Sequence, residues 1–256
     1  MSDLRQLASA LWNARVNGSI VEPPSDAISL SDAYTGQREL INESGHRQIG
    51  WKIGSTSKVA QARLGTDQPG AGPLLEPLVY PNRSHVSIHP AHDVSVEVEF
   101  AFVMAETLPP QTDPYTRDEV LEATGEFIPG IELVGSRFAG GLSTIGRSLI
   151  TLDGGGNVGF VFGDANPHWT AQALPNQACS LTINGTSVAQ GRGADALGDP
   201  INVLVWLANH LSARNMDLER GHMITTGTCT GLVAINKGDH VCGDFGSLGQ
   251  VEFYVE

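Results

Sequence analysis

The stretch Val94–Met104 restricts the possible folds more than any other part of the chain. Val94, Val96, Val98, Phe100 and Phe102 alternate with Ser95, Glu97, Glu99, Ala101 and Val103. A period of two is the signature of a β-strand, and the Val/Phe side must lie against a packed core. Thirty glycines and fourteen prolines in 256 residues point to many turns and rule out a helical bundle. Charged residues make up 17%, below the usual ~25%, which excludes a coiled coil or a disordered acidic chain. Lys+Arg is 15 against Asp+Glu 28, a net charge of −13. Such a chain has no diffuse attraction for nucleic acid or anionic lipid, and no Lys/Arg run creates a local exception. No run of about 18 apolar residues is present to span a membrane.

The first 75 residues read as mainly helical. Leu4, Leu7, Ala8 and Leu11 recur at helical spacing, so the N-terminus reads as a surface helix and not as a signal peptide. Ser31 can cap a helix through Ala33, Tyr34, Gln37, Leu40 and Ile41, stopped by Gly45. Residues 76–256 read as a β-rich body. Thr116–Glu119 is a capping box opening a helix through Val120, Ala123, Thr124 and Phe127, followed by a strand from Gly130 to Val134. Asn184-Gly185 between two β-like runs predicts a hairpin, and Asp199-Pro200 starts a helix running to Arg214. The expected class is α+β: a small N-terminal domain, 1–75, and a β-rich catalytic domain, 76–256. Cys179, Cys229 and Cys242 have no zinc-like spacing and no plausible disulfide framework, which suits a reducing cytoplasm.

Glu97 and Glu99 share one strand face about 7 Å apart. Neighbouring carboxylates repel, and a hard divalent cation such as Mg²⁺ or Mn²⁺ would remove the conflict. A solvent-facing edge strand would explain the pair equally well. Glu132 lies in a short apolar strand and is either a third ligand or simply outward-facing. Lys52, in Gly50-Trp51-Lys52-Ile53-Gly54, could meet a substrate carboxylate or move a proton, or could snorkel at the surface. Thr225–Gly231 packs hydroxyls and backbone N–H groups that could cradle an oxyanion, or form a polar turn. Cys229 has no neighbouring histidine to activate it. Gly154-Gly155-Gly156-Asn157-Val158-Gly159 spells G-x-G-x-x-G but leads into a strand, which argues against dinucleotide binding. His85, His89 and His92 read as a surface turn and not as a zinc site.

Several segments, in order, resemble the 2-keto-4-pentenoate hydratase / 4-oxalocrotonate decarboxylase family, a branch of the fumarylacetoacetate hydrolase superfamily. They are Asp32-Ala33-Tyr34 with Gln37, Gly50–Lys58, Val96–Val103, Ile131–Val134 with Ser136-Arg137, Trp206–Asn209, Thr226–Gly231, and Gly238-Asp239 leading to Asp244–Gly246. The resemblance covers nearly the whole chain. It implies a mixed β-roll or barrel-like body behind small N-terminal helices. It also implies Mg²⁺ or Mn²⁺ on Glu97, Glu99 and Glu132, Lys52 as the catalytic lysine, and Thr228, Thr230, Ser136 and Arg137 around the substrate.

The activity so implied is a metal-dependent lyase of aromatic catabolism acting on a 2-oxo or 2-hydroxy-dienoic acid. A 2-oxopent-4-enoate hydratase comes first. A 4-oxalocrotonate decarboxylase, a C–C hydrolase and a catalytically idle metal-binding homologue are the alternatives. The implied assembly is a homo-oligomer, with a complex with a pathway enzyme as a further option. Two positions depart from the family pattern. Gly70 stands where relatives carry an acid–base aspartate, leaving Asp67, Glu76 or a water on the metal as substitutes, and Gly135 stands where relatives often carry Asp.

Overall fold

The computed structural model describes residues 2–256 and follows the expected class, with two sheets and N-terminal helices. Helices α1 (Ser2–Asn17) and α2 (Leu30–Ser44) precede strand β1 (Gln48–Gly54), α3 (Lys58–Arg63) and β2 (Gly70–Leu75). Short strands β3 (Val79–Pro81) and β4 (His85–Val86) lead to the long β5 (Ser95–Met104), α4 (Arg117–Ala123) and β6 (Thr124–Val134). Then come α5 (Arg147–Leu152), β7 (Asn157–Phe162), the hairpin β8 (Ala178–Ile183) and β9 (Thr186–Arg192), and α6 (Pro200–Ser212). The chain closes with β10 (Met223–Thr228), β11 (Val233–Ala234), β12 (His240–Asp244) and β13 (Gln250–Val255).

The larger sheet runs β2-β1-β10-β5-β6-β7-β3, with β11 beside β5, and does not close into a barrel. The smaller runs β4-β13-β12-β8-β9. The even-numbered face of β5 packs towards the second sheet. There Phe100, Phe127 and Phe245 meet with ring centroids 5.1–5.6 Å apart. Gly243 lets the sheets approach: a Cβ there would sit 3.3 Å from both Ile131 and Val98. The opposite face of β5 is also covered. Helix α2 packs between α1 and α5 through Ala8, Leu11, Ala33, Leu40 and Leu152. Gln37 ties α2 down by donating to the carbonyls of Ala71 (3.1 Å) and Thr151 (2.7 Å). Because both faces are covered, Glu97 and Glu99 are not on a solvated edge: β5 is the central strand of the path, and all its residues but two are buried.

Local boundaries differ from expectation in ways with clear causes. Ser29, not Ser31, caps α2, accepting from Asp32 N, while Gly45 ends the helix in a left-handed conformation as expected. The Thr116 capping box forms, yet α4 stops at Ala123. Phe127 belongs to β6, because the core between the sheets takes its ring. Strand β6 starts at Thr124 and runs through Pro129, whose neighbours keep a continuous register (Ala101 opposite Ile128, Glu99 opposite Gly130). Asn184 (φ 52) and Gly185 (φ 77) make the β8–β9 turn with two left-handed residues. Helix α6 is capped by Asp199 and ends at Ser212, short of Arg214. His92 is buried and its Nε2 lies 3.1 Å from the Ser19 carbonyl, so only part of the histidine turn is surface. All three cysteines are free thiols.

Candidate metal centre

The site is built from three strands of the larger sheet. Glu97 stands directly opposite Glu132 in the antiparallel β5–β6 register, and Glu99 is two residues along the same face. Directly opposed like charges destabilise a sheet, and these three are buried: Glu97 is 7% exposed, Glu99 and Glu132 0%. One carboxylate oxygen from each lies within 4.8 Å of the others. At that separation each ionised pair repels by about 3.5 kcal/mol at an effective dielectric constant of ~20.

Neighbouring groups orient the acids without satisfying them. The Gly227 N–H donates to Glu99 Oε2 at 2.6 Å. Gly227 adopts φ +90, and a Cβ there would fall 2.0 Å from the Thr56 hydroxyl, so this clamp needs glycine. Asn157 Nδ2 donates to Glu132 Oε1 at 2.8 Å. Glu99 Oε1 is left buried with no hydrogen-bond partner, and Glu132 Oε2 has only the Lys52 ammonium near it. Lys52, from β1, places Nζ 3.3 Å from Glu132 Oε2 and donates to the Gly155 carbonyl at 3.1 Å. Burial would lower the Lys52 pKa, but Glu132, Glu97 and Glu99 outweigh it and the net shift is upward. Burial first, and then Glu132, push the Glu97 carboxyl up to about 7, and burial with Glu132 and Glu97 drives Glu99 well above the ordinary range.

Three ionised carboxylates and one ammonium leave two negative charges in a buried site. One hard divalent cation would cancel them and take up the unmatched Glu99 oxygen, so Mg²⁺ or Mn²⁺ fits this donor set. Glu97, Lys52 and Thr228 line a cavity of about 470 Å³ whose walls include Val59, Leu142 and Leu232. The metal-binding face therefore opens onto a mostly apolar, ligand-sized chamber.

The other anticipated site residues separate. Thr228 lines the cavity, and its hydroxyl accepts from the N–H groups of Thr230 (3.2 Å) and Gly231 (2.7 Å). The Thr230 hydroxyl accepts from Val98 N at 3.1 Å, which fastens the loop to β5. Ser136 and Arg137 are fully buried and do not line the cavity. Ser136 accepts from Phe138 N, and Arg137 Nε donates to Asp153 Oδ1 at 2.8 Å. Of the possible substitutes for the acid at Gly70, Glu76 is exposed and bonded to Arg47 (2.7 Å), and Asp67 is exposed on its loop. Neither lines the cavity.

Two contributors carry little sequence signal. Asn157 is a lone polar residue at the start of an apolar strand. The run Gly154–Gly156 has φ of +66, +75 and +76, and a Cβ on Gly155 would lie 2.9 Å from Lys52 Cδ. The glycines that spell a false dinucleotide motif bring backbone against the lysine.

Residues 59–256 match the fumarylacetoacetate (FAA) hydrolase C-terminal family. The chain is 31% identical over 242 residues to a 2-keto-4-pentenoate hydratase of Paraburkholderia xenovorans, covering 91% of this chain and 88% of that one. It is 30% identical over 231 residues to a 2-oxo-hept-4-ene-1,7-dioate hydratase of Escherichia coli, covering 88% and 86%. The 4-oxalocrotonate decarboxylase of Pseudomonas putida G7, solved with magnesium and adipate, superposes with a TM-score of 0.90 at 24% identity, covering 100% of this chain and 98% of that one. The chain thus belongs to the fumarylacetoacetate hydrolase family.

Proposed function

We propose that this protein is a divalent-metal-dependent lyase that hydrates 2-hydroxypenta-2,4-dienoate, the enol of 2-oxopent-4-enoate, to 4-hydroxy-2-oxopentanoate. The observation that carries this reading is the convergence of Glu97, Glu99 and Glu132, with one Glu99 oxygen unmatched, beside Lys52 at the end of a ligand-sized cavity. The hydratase names of relatives at 30–31% identity support the choice of reaction.

Bound on the three carboxylates, Mg²⁺ or Mn²⁺ would supply Lewis-acid stabilisation of negative charge at the substrate's 2-oxygen, worth several kcal/mol. The chain's own residues do the rest. Lys52, held by Glu132 and the Gly155 carbonyl, keeps an ammonium next to that charge and is placed to pass a proton to the dienol carbon. Thr228 binds the carboxylate end, with the Thr230 hydroxyl fixing the loop that presents it. Val59, Leu142 and Leu232 offer an apolar wall to the hydrocarbon part. Gly70 removes the acid that relatives would place nearby, so proton transfer rests on Lys52.

Decarboxylation of 2-oxohex-3-enedioate is the second reading, and the missing acid at Gly70 favours a third, a catalytically idle homologue. Purified protein with Mg²⁺ separates the two. Loss of dienol absorbance without CO₂ release supports the hydratase, and CO₂ release from the dioate supports the decarboxylase. Decay of both at the protein-free rate means a catalytically idle homologue. No helix of the described residues is long and apolar enough to cross a membrane. We place the protein in the cytoplasm as a homo-oligomer, and light scattering on the purified protein tests the assembly.

A further inference from the structure

A second cavity, of about 340 Å³, lies on the other face of β1 from Lys52, between α2 and the C-terminal end of α6. Its volume is at the lower end of the range of about 300–1,000 Å³ used by small-molecule sites. Buried Trp51, Gln37 and Leu211 form its floor, and exposed Arg38 and Arg214 stand at its mouth.

Three observations set this cavity apart from an ordinary surface hollow. First, the Trp51 side chain is 5% exposed, yet its indole N–H has no acceptor. Second, the two arginines at the mouth, like seven others of the fifteen Lys and Arg, have no carboxylate partner among the described residues, so both are free to meet an anion. The ion pairs of Lys and Arg among the described residues are made by Arg5, Arg47, Lys52, Arg83, Arg117 and Arg137. Third, Arg214 is held in place: its guanidinium lies 4.7 Å over the Tyr34 ring, and Nη1 donates to the His210 carbonyl at 3.0 Å. His210, whose pKa burial and then Arg214 push down to about 3, is neutral and adds a flat wall stacked on Trp206 at 4.5 Å.

We propose that this cavity binds a small organic monocarboxylate with a flat apolar body, of the arene carboxylate class. The carboxylate would meet Arg214 and Arg38, and the flat body would lie against Trp51, beside the Tyr34–His210 pair whose own rings are 5.2 Å apart. The cavity shares no lining residue with the metal centre. It is therefore a separate site and stands or falls independently of the proposed lyase activity.

Benzoate titrated into the full-length protein provides the test, read by calorimetry and by the ¹H–¹⁵N indole resonances of the four tryptophans. The Trp51 resonance is identified by its loss in Trp51→Phe. The expected result is binding with a Kd near ~1 mM or tighter, with a shift of the Trp51 indole signal. Arg214→Gln, an exposed change that leaves the core untouched, should weaken binding at least tenfold. Neutral benzamide should bind at least tenfold more weakly than benzoate. Binding should persist after EDTA treatment and in Glu97→Gln, which places it away from the carboxylate cluster. The proposal is overturned by no Trp51 shift at up to ~10 mM benzoate, by equal binding of benzamide, or by binding that disappears with the metal.

Discussion

Two sets of buried charges sit on either side of the Gly154–Gly156 loop, and they are built in opposite ways. Arg137 and Asp153 form a one-to-one pair: Nε and the backbone N–H of Arg137 donate to the two carboxylate oxygens at 2.8 and 3.0 Å, and Nη2 donates to the Asp153 carbonyl. Only Arg137 Nη1 is left without a partner. Glu97, Glu99 and Glu132 face one ammonium between them, which meets Glu132, and keep an unmatched oxygen on Glu99. The first set pairs its charges within the chain, although the buried Arg15 guanidinium beside it keeps two nitrogens without partners. The second would be balanced by one added cation. Burial alone does not mark a functional charge.

That contrast can be broken by substitution. Glu97→Gln should reduce metal-dependent turnover to the background rate and abolish the rise in melting temperature on adding Mg²⁺, with the folded state retained. Unchanged Mg²⁺ activation in this variant would remove Glu97 from the site. Asp153→Asn should do the reverse. It leaves Arg137 buried and unpaired and should lower stability by about 3–5 kcal/mol in denaturant unfolding, with or without metal. A larger loss of Mg²⁺ response than of stability would overturn the structural role of that pair.

Asn157→Ala removes the donor that orients Glu132 and should weaken metal affinity about 10–100-fold, measured by calorimetry, while the global fold remains. The smallest effect concerns pH. The folded-state pKa of Glu97, about 7, lies above its ordinary value of 4.5. The stability this group contributes is therefore present below about 4.5 and is lost as pH rises through about 7 in metal-free protein. Added Mg²⁺ relieves the loss, so the Mg²⁺-induced rise in melting temperature should be greater at pH 8 than at pH 5.5. An equal rise at both values would contradict the shifted carboxylate.

The period-two pattern of β5 made both the strand and the shared face of Glu97 and Glu99 readable from sequence. That face looked like a candidate for solvent because periodicity says which residues share a side, not what covers it. The pairing of Glu97 with Glu132 could not be read: it depends on the offset of two strands and on β6 continuing through Pro129, which looks like a break. Asn157 and the Gly155 carbonyl reach Glu132 and Lys52 from 25 and 103 residues away, separations with no local signature. Ser136 and Arg137 were associated with substrate through motif resemblance. Side-chain geometry instead commits them to Phe138 and Asp153.

The central claim is that three acids from two adjacent strands hold one hard cation. Anomalous diffraction from Mn²⁺-soaked crystals tests it most directly. The account predicts a single strong peak bounded by carboxylate oxygens of Glu97, Glu99 and Glu132, with Lys52 beside it. Carboxylates turned apart with no peak between them, or a peak held by other residues, would contradict it.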